Sequence, residues 1–585
     1  MGGHGILSGR HIAGVGGNGM QIRRVEIKNF RGIKDLTWTL NGPIACLVGP
    51  GDSGKTTILD AIELAFVPRR FVQFSDYDFH NRDVENPIVI TVTVGALADE
   101  LINEFECGLR LRGWKNGEFA DDDEPDDQHE KVVSVQLSLD ASLEPEWQLV
   151  TGRTTEPVTA RARTRQRLGV FRLGEDVDQD LTWGRGSALF EVTGDPAQIN
   201  RDLREVGRRA SETLAQEAGA AESLADTARR VETLACELGL AECRGYCPGL
   251  DVRFLASRNS AICLHENRIP LNMAGSATRR IVAIAARQTC VTAGAIILID
   301  EVEHALEPHR LRHLVRKLQH MTQSREIGQV ILTTHSAVAI EELKATELHV
   351  VRPGNGETHV KPVPAELQAV VRGCSEALLA RKVVVCEGKT ECGLVKGLEE
   401  RWNAVHDQPL THRGVIWADG GGTDHAAKRA IQLGGLGYKV ALLTDSDKPV
   451  PDEDLEKAQV TVMKWSGGVS TEQRIALDLP WDALKGVVEL AVELNGRETV
   501  RDCIANELPG GQAVDLDGLD DLWAQVDEAE LRRAVGVAAA SGHGWFKSID
   551  KGERLGEIVA TALDSIQDSD LYARIGEIER WAYDG

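Results

Sequence analysis

Carboxylates follow two apolar stretches in the second half of this sequence, VVVCEGKTE (383–391) and KVALLTDSD (439–447), and one more lies in STEQR. The acids are Glu387, Glu391, Asp445, Asp447 and Glu472. Because ligands gather at the carboxyl ends of parallel strands, we expect these side chains to converge. Carboxylates are hard ligands suited to two divalent ions, Mg²⁺ or Mn²⁺, which together can act on a phosphodiester. The alternative is that both acidic turns are ordinary caps at strand ends.

A second chemical site is predicted near the start of the chain. GPGDSGKT (49–56) fits the phosphate-loop pattern G-x-x-x-x-G-K-[ST] between an apolar strand and a helix. Backbone N–H groups of such a loop bind phosphates; Lys55 would neutralise the β- and γ-phosphates of ATP, and Thr56 would ligate Mg²⁺. The residues predicted to bind the nucleotide here are Gly49, Gly51, Asp52, Ser53, Gly54, Lys55, Thr56 and Thr57.

Two later apolar strands supply partners for this loop. IILIDE (296–301) ends in Asp300, which can hold Mg²⁺, and Glu301, which can orient or deprotonate the attacking water. Unpaired carboxylates at the end of a buried strand are costly, so this pair favours function. His335, in TTHS after the next strand, is predicted to sense the γ-phosphate, although such a histidine alone is more often structural.

Length and composition limit the class of protein. A chain of 585 residues is expected to form two to four domains. The net charge of −24 argues against a generally basic DNA coat but not against a local DNA-binding groove. No apolar run reaches membrane-spanning length, and the eleven cysteines lack a paired framework, which predicts a cytoplasmic protein. The group Cys236, Cys243 and Cys247 lacks a CxxC pair, which favours plain thiols over zinc.

One stretch of the chain is basic and one is acidic. The basic residues are Arg161, Arg163, Arg165, Arg167 and Arg172. They are compatible with an exposed strand edge, a subunit contact or a track for phosphates. The acidic run DDDEPDD (121–127) is most simply a solvated loop.

The segment IRRVEIKNFRGIKDLTW followed by GPGDSGKTT resembles the ATPase heads of the RecF, SMC and Rad50 type within the ABC superfamily. This resemblance implies that ATP is bound between two subunits, one of which contributes a signature motif. The candidate motif is PLNMAGSATRR (270–280), which retains Gly275 and Ser276 but has Ala277 where a glycine is common. Gln73 is the candidate for the Q-loop.

The pattern E-G-x-x-E followed by D-x-D in a small parallel sheet resembles the Toprim domain of topoisomerases, primases and certain nucleases. An ABC head interrupted by a helical insertion and followed by Toprim resembles the OLD (overcoming lysogenization defect) nucleases, whose family includes the Gabija nuclease subunit of phage defence. This resemblance implies DNA as substrate, a helicase as a possible partner, and a catalytic lysine late in Toprim, either Lys547 or Lys551.

The predicted fold class is therefore α/β: an ABC head of the RecF/SMC/Rad50 kind with a helical dimerisation insertion, then a Toprim domain with a helical C-terminal extension. The split ATP site and the apolar face of the inserted helices predict a homodimer or a higher even oligomer. The expected parts are a disordered tail (1–19), the two parts of the ATPase (20–195 and 246–365), the insertion (196–245) and the Toprim domain (366–585).

Two other functions are compatible with parts of this pattern. A topoisomerase-like enzyme needs a tyrosine nucleophile, and none of the tyrosines lies in an obvious winged-helix context; they are Tyr77, Tyr246, Tyr438, Tyr572 and Tyr583. A non-catalytic DNA-clamp or repair-scaffold ATPase would use Toprim as a binding module. The four carboxylates argue against that function, because a surface that only binds DNA would not direct acids at phosphate.

Overall fold

The structure is a computed structural model, and it describes residues 19–68, 72–103, 110–120, 125–126, 128–152, 158–174, 177–182, 187, 189, 205–206, 209, 263–266, 269–290, 294–354, 357–509, 514–516, 526–541 and 544–584. The described residues belong to two compact units. One contains those of Met1–Ala45 and Thr56–Thr334, and the other those of Cys46–Lys55 and His335–Gly585. Apart from 205–206 and 209, the predicted insertion (196–245) lies outside the described residues, and so do Cys236, Cys243 and Cys247.

The elements of the first part of the chain follow the predicted apolar stretches. The strands are β1 (Gln21–Phe30), β2 (Ile33–Thr39), β3 (Ile44–Val48), β4 (Ile88–Gly95), β5 (Arg112–Lys115), β6 (Glu118–Phe119), β7 (Glu130–Leu139), β8 (Glu146–Val150), β9 (Val158–Thr159), β10 (Val170–Leu173), β11 (His265–Glu266), β12 (Ile269–Pro270), β13 (Ile296–Ile299) and β14 (Gln329–Thr333). The helices are α1 (Lys55–Phe66), α2 (Asp99–Asn103), α3 (Ala162–Arg167), α4 (Val177–Asp180), α5 (Ser276–Cys290) and α6 (Pro308–Gln323).

The first unit contains an antiparallel sheet in the order β2-β1-β4-β7-β5-β6, with β8 paired to β7 and β9 to β8. The predicted antiparallel pair at 20–40 is confirmed, with Val25 opposite Trp38 and Ile27 opposite Leu36. These side chains are buried on one face because alternate residues of a strand point to the same side.

Parallel strands bring the acidic strand end of the first unit into place. β10 pairs with β13, and β13 pairs with β14, both in parallel. Every residue of β13 is buried, as expected of a central parallel strand, and Asp300 follows it directly.

The second unit contains the later elements of the chain. Its strands after β3 are β15 (Leu348–Gly354), β16 (Glu357–Pro362), β17 (Lys382–Cys386), β18 (Val415–Asp419), β19 (Lys439–Thr444) and β20 (Thr461–Lys464). Its helices are α7 (Ala337–Glu342), α8 (Gln368–Gly373), α9 (Lys389–Val405), α10 (Thr423–Gly435), α11 (Asp452–Lys457), α12 (Thr471–Asp478), α13 (Trp481–Asn495), α14 (Arg497–Glu507), α15 (Glu528–Ala540), α16 (Ile549–Ala562) and α17 (Asp570–Tyr583).

The predicted small parallel sheet is present in the second unit, in the order β18-β17-β19-β20. Each neighbouring pair is parallel, so all four strands end at one edge. In the same unit, β15 pairs in parallel with β3 and antiparallel with β16. The predicted helical C-terminal part is also confirmed. Among the described residues, no helix combines the length and apolarity needed to cross a membrane.

Glycines bring α9 and α16 into close contact beside this sheet. A Cβ atom added to Gly393 would lie 2.6 Å from Cα of Gly552, and one added to Gly397 would lie 2.7 Å from Cα of Gly556. Within each helix the two glycines are four residues apart, so Gly393 and Gly397 share one face of α9, and Gly552 and Gly556 share one face of α16. The backbone of α9, which carries Glu391, is therefore held directly against α16.

Candidate functional site

The phosphate loop has the backbone shape that its glycines predict. Gly49 has a φ of +141° and Gly54 a φ of +95°. A Cβ atom on Gly49 would lie 2.5 Å from the carbonyl oxygen of Val351. The buried ammonium of Lys55 donates to the carbonyls of Pro50 (2.8 Å) and Gly49 (3.1 Å). The lysine is thus enclosed by the loop at the start of α1.

Asp300 and Thr56, the two predicted Mg²⁺ ligands of the first unit, lie next to each other. Oγ1 of Thr56 lies 3.3 Å from Oδ1 of Asp300, which also accepts a hydrogen bond of 2.5 Å from Oγ1 of Thr333. The other carboxylate oxygen accepts a 3.1 Å bond from Arg172. Glu301 follows with a left-handed φ of +44°, and its side chain is 53% exposed.

Two arginines hold this acidic strand end. Arg172 also contacts the carboxylates of Asp60 (2.5 Å) and Glu63 (3.0 Å) on α1. Arg280 on α5 donates to the carbonyls of Asp300 (2.8 Å) and Glu301 (2.9 Å). Burial lowers the pKa of Arg280, and nearby carboxylates oppose that shift. The candidate signature helix is thereby bonded to the backbone of the acidic strand end.

The basic stretch is not an exposed strand edge. Arg161 is followed by the helix α3, and Arg165 is buried, with a 2.8 Å bond to the carbonyl of Ala160 and its guanidinium over Trp147. Burial lowers the pKa of Arg165 to about 10. Because Arg165 and Arg172 are occupied by contacts within the first unit, these two do not form a track for phosphates.

The predicted ATP-site residues outside the phosphate loop and the acidic strand end lie at exposed positions. Gly275 and Ser276 begin α5, and His335 follows β14. Gln73 is exposed as well. Ser276 and His304 line a cavity of about 320 Å³ that also includes both arginines at the start of α5. The structure therefore places Gly275 and Ser276 where a second chain can reach them.

Glu387 lies at the end of β17, where three donors fix its carboxylate. Oε1 accepts a 2.6 Å bond from the hydroxyl of Thr423. Oε2 accepts bonds from the hydroxyl of Thr444 (2.7 Å) and the backbone N–H of Asp445 (2.9 Å). The acidic turn after β17 is therefore tied to the ends of two neighbouring elements, α10 and β19.

Three further predicted acids converge with Glu387. Asp445 accepts two bonds from Thr471, one from its N–H (2.8 Å) and one from its hydroxyl (2.9 Å). Glu391 accepts a 2.8 Å bond from the N–H of Gly388, and Glu472 a 3.2 Å bond from the hydroxyl of Thr390. We refer to Glu387, Glu391, Asp445 and Glu472 as the acid cluster. Asp447 is exposed two residues beyond Asp445.

The acid cluster is electrostatically unfavourable when fully ionised. Burial raises the pKa of Asp445 to about 8, and the charges of Glu391 and Glu387 add to this shift. Burial raises the pKa of Glu391 to about 7, with contributions from Glu472 and Glu387. The pKa of Glu472 is raised by burial and by Asp445. A divalent cation would offset this repulsion.

The donor chemistry of the acid cluster fits a hydrated divalent cation. Carboxylate oxygens suit Mg²⁺ and Mn²⁺, and Mg²⁺ is commonly held by one or two carboxylates while it keeps several waters. Within the described ranges, no three His, Cys, Asp or Glu side chains are placed so that together they could hold a metal ion. Any one ion at the acid cluster would therefore have at most two of these carboxylates as ligands, with water in its other positions.

The two candidate lysines have different surroundings. Lys547 is exposed, and its side chain folds over Gly544, at which an added Cβ would lie 2.6 Å from Cγ of the lysine. The carbonyl of the preceding Phe546 lies 3.3 Å from the hydroxyl of Thr390, next to the acid cluster. Lys551 instead donates a 3.3 Å bond to Asn495. Lys547 is thus the more accessible of the two lysines, whereas Lys551 is held by Asn495.

Sequence reasoning missed the threonines that orient the acids. They are Thr390, Thr423, Thr444 and Thr471. Each follows a strand-end turn or stands directly beside one of the acids in the sequence, and that adjacency is the signal that could have identified them. A threonine at the start of a helix can offer both an N–H and a hydroxyl, as Thr471 does toward Asp445.

Two of the described tyrosines of the second unit, Tyr438 and Tyr583, give little support to a topoisomerase. Tyr438 is buried, its hydroxyl donates to the carbonyl of Leu378 (2.7 Å), and burial raises its pKa to about 12. Tyr583 is stacked on His406 and bonded to Asn403. Tyr246 lies outside the described residues. Neither Tyr438 nor Tyr583 is placed to attack a phosphodiester.

Family models match three parts of the chain. Residues 20–149 match an AAA ATPase domain, and residues 264–341 match an AAA domain described as a putative AbiEii toxin of a Type IV toxin–antitoxin system. Residues 378–447 match the Toprim domain of proteins like the overcoming lysogenization defect protein. The predicted order of an ATPase followed by Toprim is therefore confirmed.

Two curated relatives match short segments. An OLD nuclease of Thermus scotoductus is 42% identical over 74 residues, which are 12% of this chain and 14% of that protein. A DNA double-strand break repair Rad50 ATPase of Methanopyrus kandleri is 41% identical over 71 residues, which are 12% of this chain and 8% of that protein. The chain thus matches less than one sixth of the length of either relative.

Two solved structures match this chain with low TM-scores and low sequence identity. The SMC head domain from Thermotoga maritima matches with a TM-score of 0.28 and 15% identity over 59% of this chain and 99% of its own. The recombination mediator RecF matches with a TM-score of 0.30 and 11% identity, again over 59% of this chain and 99% of its own. The chain thus carries two matches to AAA ATPase domains, followed by a match to an OLD-like Toprim domain that includes Glu387, Glu391 and Asp445.

Proposed function

We propose that this protein is an ATP-hydrolysing, divalent-metal-dependent DNA endonuclease that nicks or cleaves DNA at the acid cluster. The observation that carries the proposal is the convergence of four carboxylates at the carboxyl edge of a parallel sheet, where the pKa of Asp445 is raised to about 8 and that of Glu391 to about 7. Carboxylates whose pKa is strongly raised, at such an edge of a sheet, are typical of functional sites.

The acid cluster supplies the ligands in this mechanism. Two bound Mg²⁺ or Mn²⁺ ions would stabilise the charge that develops on the attacking and leaving oxygens of the phosphodiester. Thr423, Thr444 and Thr471 hold Glu387 and Asp445 in fixed orientations, so less reorganisation is needed during the reaction. Lys547 would neutralise the scissile phosphate or the leaving oxygen.

ATP would bind separately, at the phosphate loop. Lys55 would contact the β- and γ-phosphates, Thr56 and Asp300 would hold Mg²⁺, and Glu301 would orient the attacking water. His335 would contact the γ-phosphate. Gly275 and Ser276 of a second copy would complete the site, which makes a homodimer or higher even oligomer part of the proposal. Light scattering that finds only a 63.7 kDa species with and without ATP would contradict this assembly.

The role in the cell that fits this domain pair is DNA processing or defence against phage, with a helicase as a possible partner. The OLD nuclease match and the Toprim match support it, although they cover a small part of the chain. Co-purification of the tagged protein with a helicase from its native cells tests the partner. Protection of cells against phage, lost in a nuclease-dead variant, tests the role.

Nicking of supercoiled plasmid tests the nuclease directly. In Mg²⁺ or Mn²⁺, the wild-type protein should convert the plasmid to open circles, and Asp445→Asn should do so roughly a hundredfold more slowly or worse, because a ligand is lost. Asp452→Asn, which changes an exposed carboxylate of the same unit, is the matched control and should behave like wild type. Wild-type nicking by a folded Asp445→Asn protein would mean that the acids are turn caps.

A further inference from the structure

A second cavity lies beside the acid cluster. It has a volume of about 360 Å³ and lies between α10 and the loop at 449–451. Its apolar wall includes Ala427, Ile431, Val450 and two prolines. Its polar lining consists of Thr423, Asp424, Lys428 and Gln432. Pro449 and Pro451 restrict the backbone of the loop, which favours a preformed wall.

Two structural links connect the cavity to the acid cluster. Thr423 lines the cavity and also donates its hydroxyl to Glu387 (2.6 Å). The loop wall follows Asp445 by only four residues, through Asp447. A phosphodiester bound at Glu387 would therefore be separated from the cavity by the side chain of Thr423.

We propose that the cavity binds one unstacked nucleoside of the DNA strand, adjacent to the phosphate that is cut. This inference rests on the proposed nuclease function. The volume is at the lower end of small-ligand pockets, which suits a single nucleoside. Apolar side chains can cover the face of a base, and Lys428 can pair with the next phosphate, the two contacts that single-stranded DNA sites combine.

A base bound in this way must leave the helical stack. Bases that are mismatched or already unpaired are the easiest to extrude, so they are favoured in a pocket of this kind. The enzyme should therefore prefer DNA with an unpaired base at one position next to the cut. The recognition acts on the base as a flat apolar surface and does not require a particular sequence.

Oligonucleotide duplexes with one altered position test the inference. One series carries a single mismatch at each position around the cut, and the second carries an abasic site at the same positions. Neither has a Watson–Crick pair to break there, and only the mismatch offers a base to the cavity, so faster cleavage of the mismatch reports a contact with that base. At one position beside the cut, wild-type protein should cleave the mismatch about tenfold faster than the abasic duplex.

Filling the cavity should remove this difference. Ile431→Trp should cleave the mismatched and abasic duplexes at similar rates, whereas Val405→Trp, at the exposed far end of α9, should retain the wild-type preference. Lys428→Ala, at an exposed position, should weaken DNA binding and keep the preference.

The wild-type comparison stands even if Ile431→Trp fails to fold. Equal rates for mismatch and abasic duplexes at every position, in an active enzyme, would overturn the inference and leave the cavity to a free small ligand. A preference that persists in folded Ile431→Trp would also overturn it. Absence of metal-dependent cleavage from every duplex would instead refute the proposed nuclease function.

Discussion

Replacement of Asp445 by asparagine tests how protons and divalent cations compete for the acid cluster. The pKa of Asp445 is raised to about 8 and that of Glu391 to about 7, each mainly by burial and then by neighbouring carboxylates. A divalent ion binds the ionised carboxylates, so bound protons must first leave. We therefore expect Mg²⁺ to bind wild-type protein more weakly as the pH falls.

The size of the effect follows from these two pKa values. Below about pH 8, the ionised fraction of Asp445 falls about tenfold per pH unit, so at pH 6 roughly 1% is ionised. Because Glu391 and Asp445 repel each other, protonation of Glu391 near pH 7 eases the ionisation of Asp445, so the two groups do not contribute independent factors. The apparent affinity for Mg²⁺ at pH 6 should thus be roughly a hundredfold weaker than at pH 9.

The same pKa values set the sign of the stability change. In the folded state Asp445 keeps a proton up to about pH 8, whereas the unfolded chain releases it near the ordinary value of 3.8. Between these values the folded state binds more protons, so its free energy of unfolding decreases as the pH rises. Mg²⁺ should restore that loss, and its stabilising effect should be largest above pH 8.

Isothermal titration calorimetry with Mg²⁺ between pH 6 and pH 9, together with thermal unfolding, measures both quantities. Asp445→Asn should bind Mg²⁺ weakly throughout and show a much flatter dependence on pH, whereas Asp452→Asn should follow wild type. Equal Mg²⁺ affinity at pH 6 and pH 9 in the folded wild-type protein would refute the reasoning. So would an unchanged pH dependence in Asp445→Asn, because another group would then control the binding.

Three further changes separate the remaining roles. Lys55→Ala should abolish ATP hydrolysis, because the main cation on the phosphates is lost, while basal plasmid nicking persists; loss of nicking from this folded variant would contradict separate sites. Gly397→Ala should lower the free energy of unfolding in urea by about 1–3 kcal/mol through overpacking against α16, whereas Gly435→Ala, with no atom within 4 Å of the added Cβ, should not. Lys547→Ala should reduce the nicking rate without changing the affinity for Mg²⁺, and Lys551→Ala should reduce the nicking rate much less. A larger loss of nicking in Lys551→Ala would assign the catalytic role to Lys551.

The strands that carry the acids could be predicted closely from the sequence. The buried strands of a parallel sheet are short, nearly continuous apolar runs, and VVVC and VALLT match β17 and β19 to within a residue. The acids then follow from chain position alone, since they directly succeed these runs. Local composition therefore determines both the strand and the place of Glu387 and Asp445.

The basic stretch shows where local pattern fails. Arginines at every second position from Arg161 to Arg167 are typical of a strand edge, but the chain forms the helix α3. Contacts distant in sequence decide the outcome, because the guanidinium of Arg165 packs on Trp147 and bonds to the carbonyl of Val67. Such contacts are not visible in a window of neighbouring residues.

The partners of each carboxylate were likewise beyond sequence reasoning. Arg172 reaches Asp300 only because β10 pairs with β13. The placement of Glu472 beside Thr390 depends on the packing of α12 near the start of α9, 82 residues away in the sequence. Pairing and packing over such separations are properties of the assembled fold, so motif spacing could identify the acids but not what holds them.

The two acidic strand ends differ in how their charge is balanced, and this difference supports a catalytic role for the acid cluster. Asp300 receives a guanidinium from Arg172, so its charge is offset within the protein. The donors to Glu387 and Asp445 are instead hydroxyl and backbone N–H groups, which orient a carboxylate without neutralising it. A purely structural turn gains nothing from placing Asp445, Glu391 and Glu472 where burial and neighbouring carboxylates raise their pKa, because the repulsion between ionised acids lowers the stability of the fold. A site that must accept divalent cations requires that uncompensated charge.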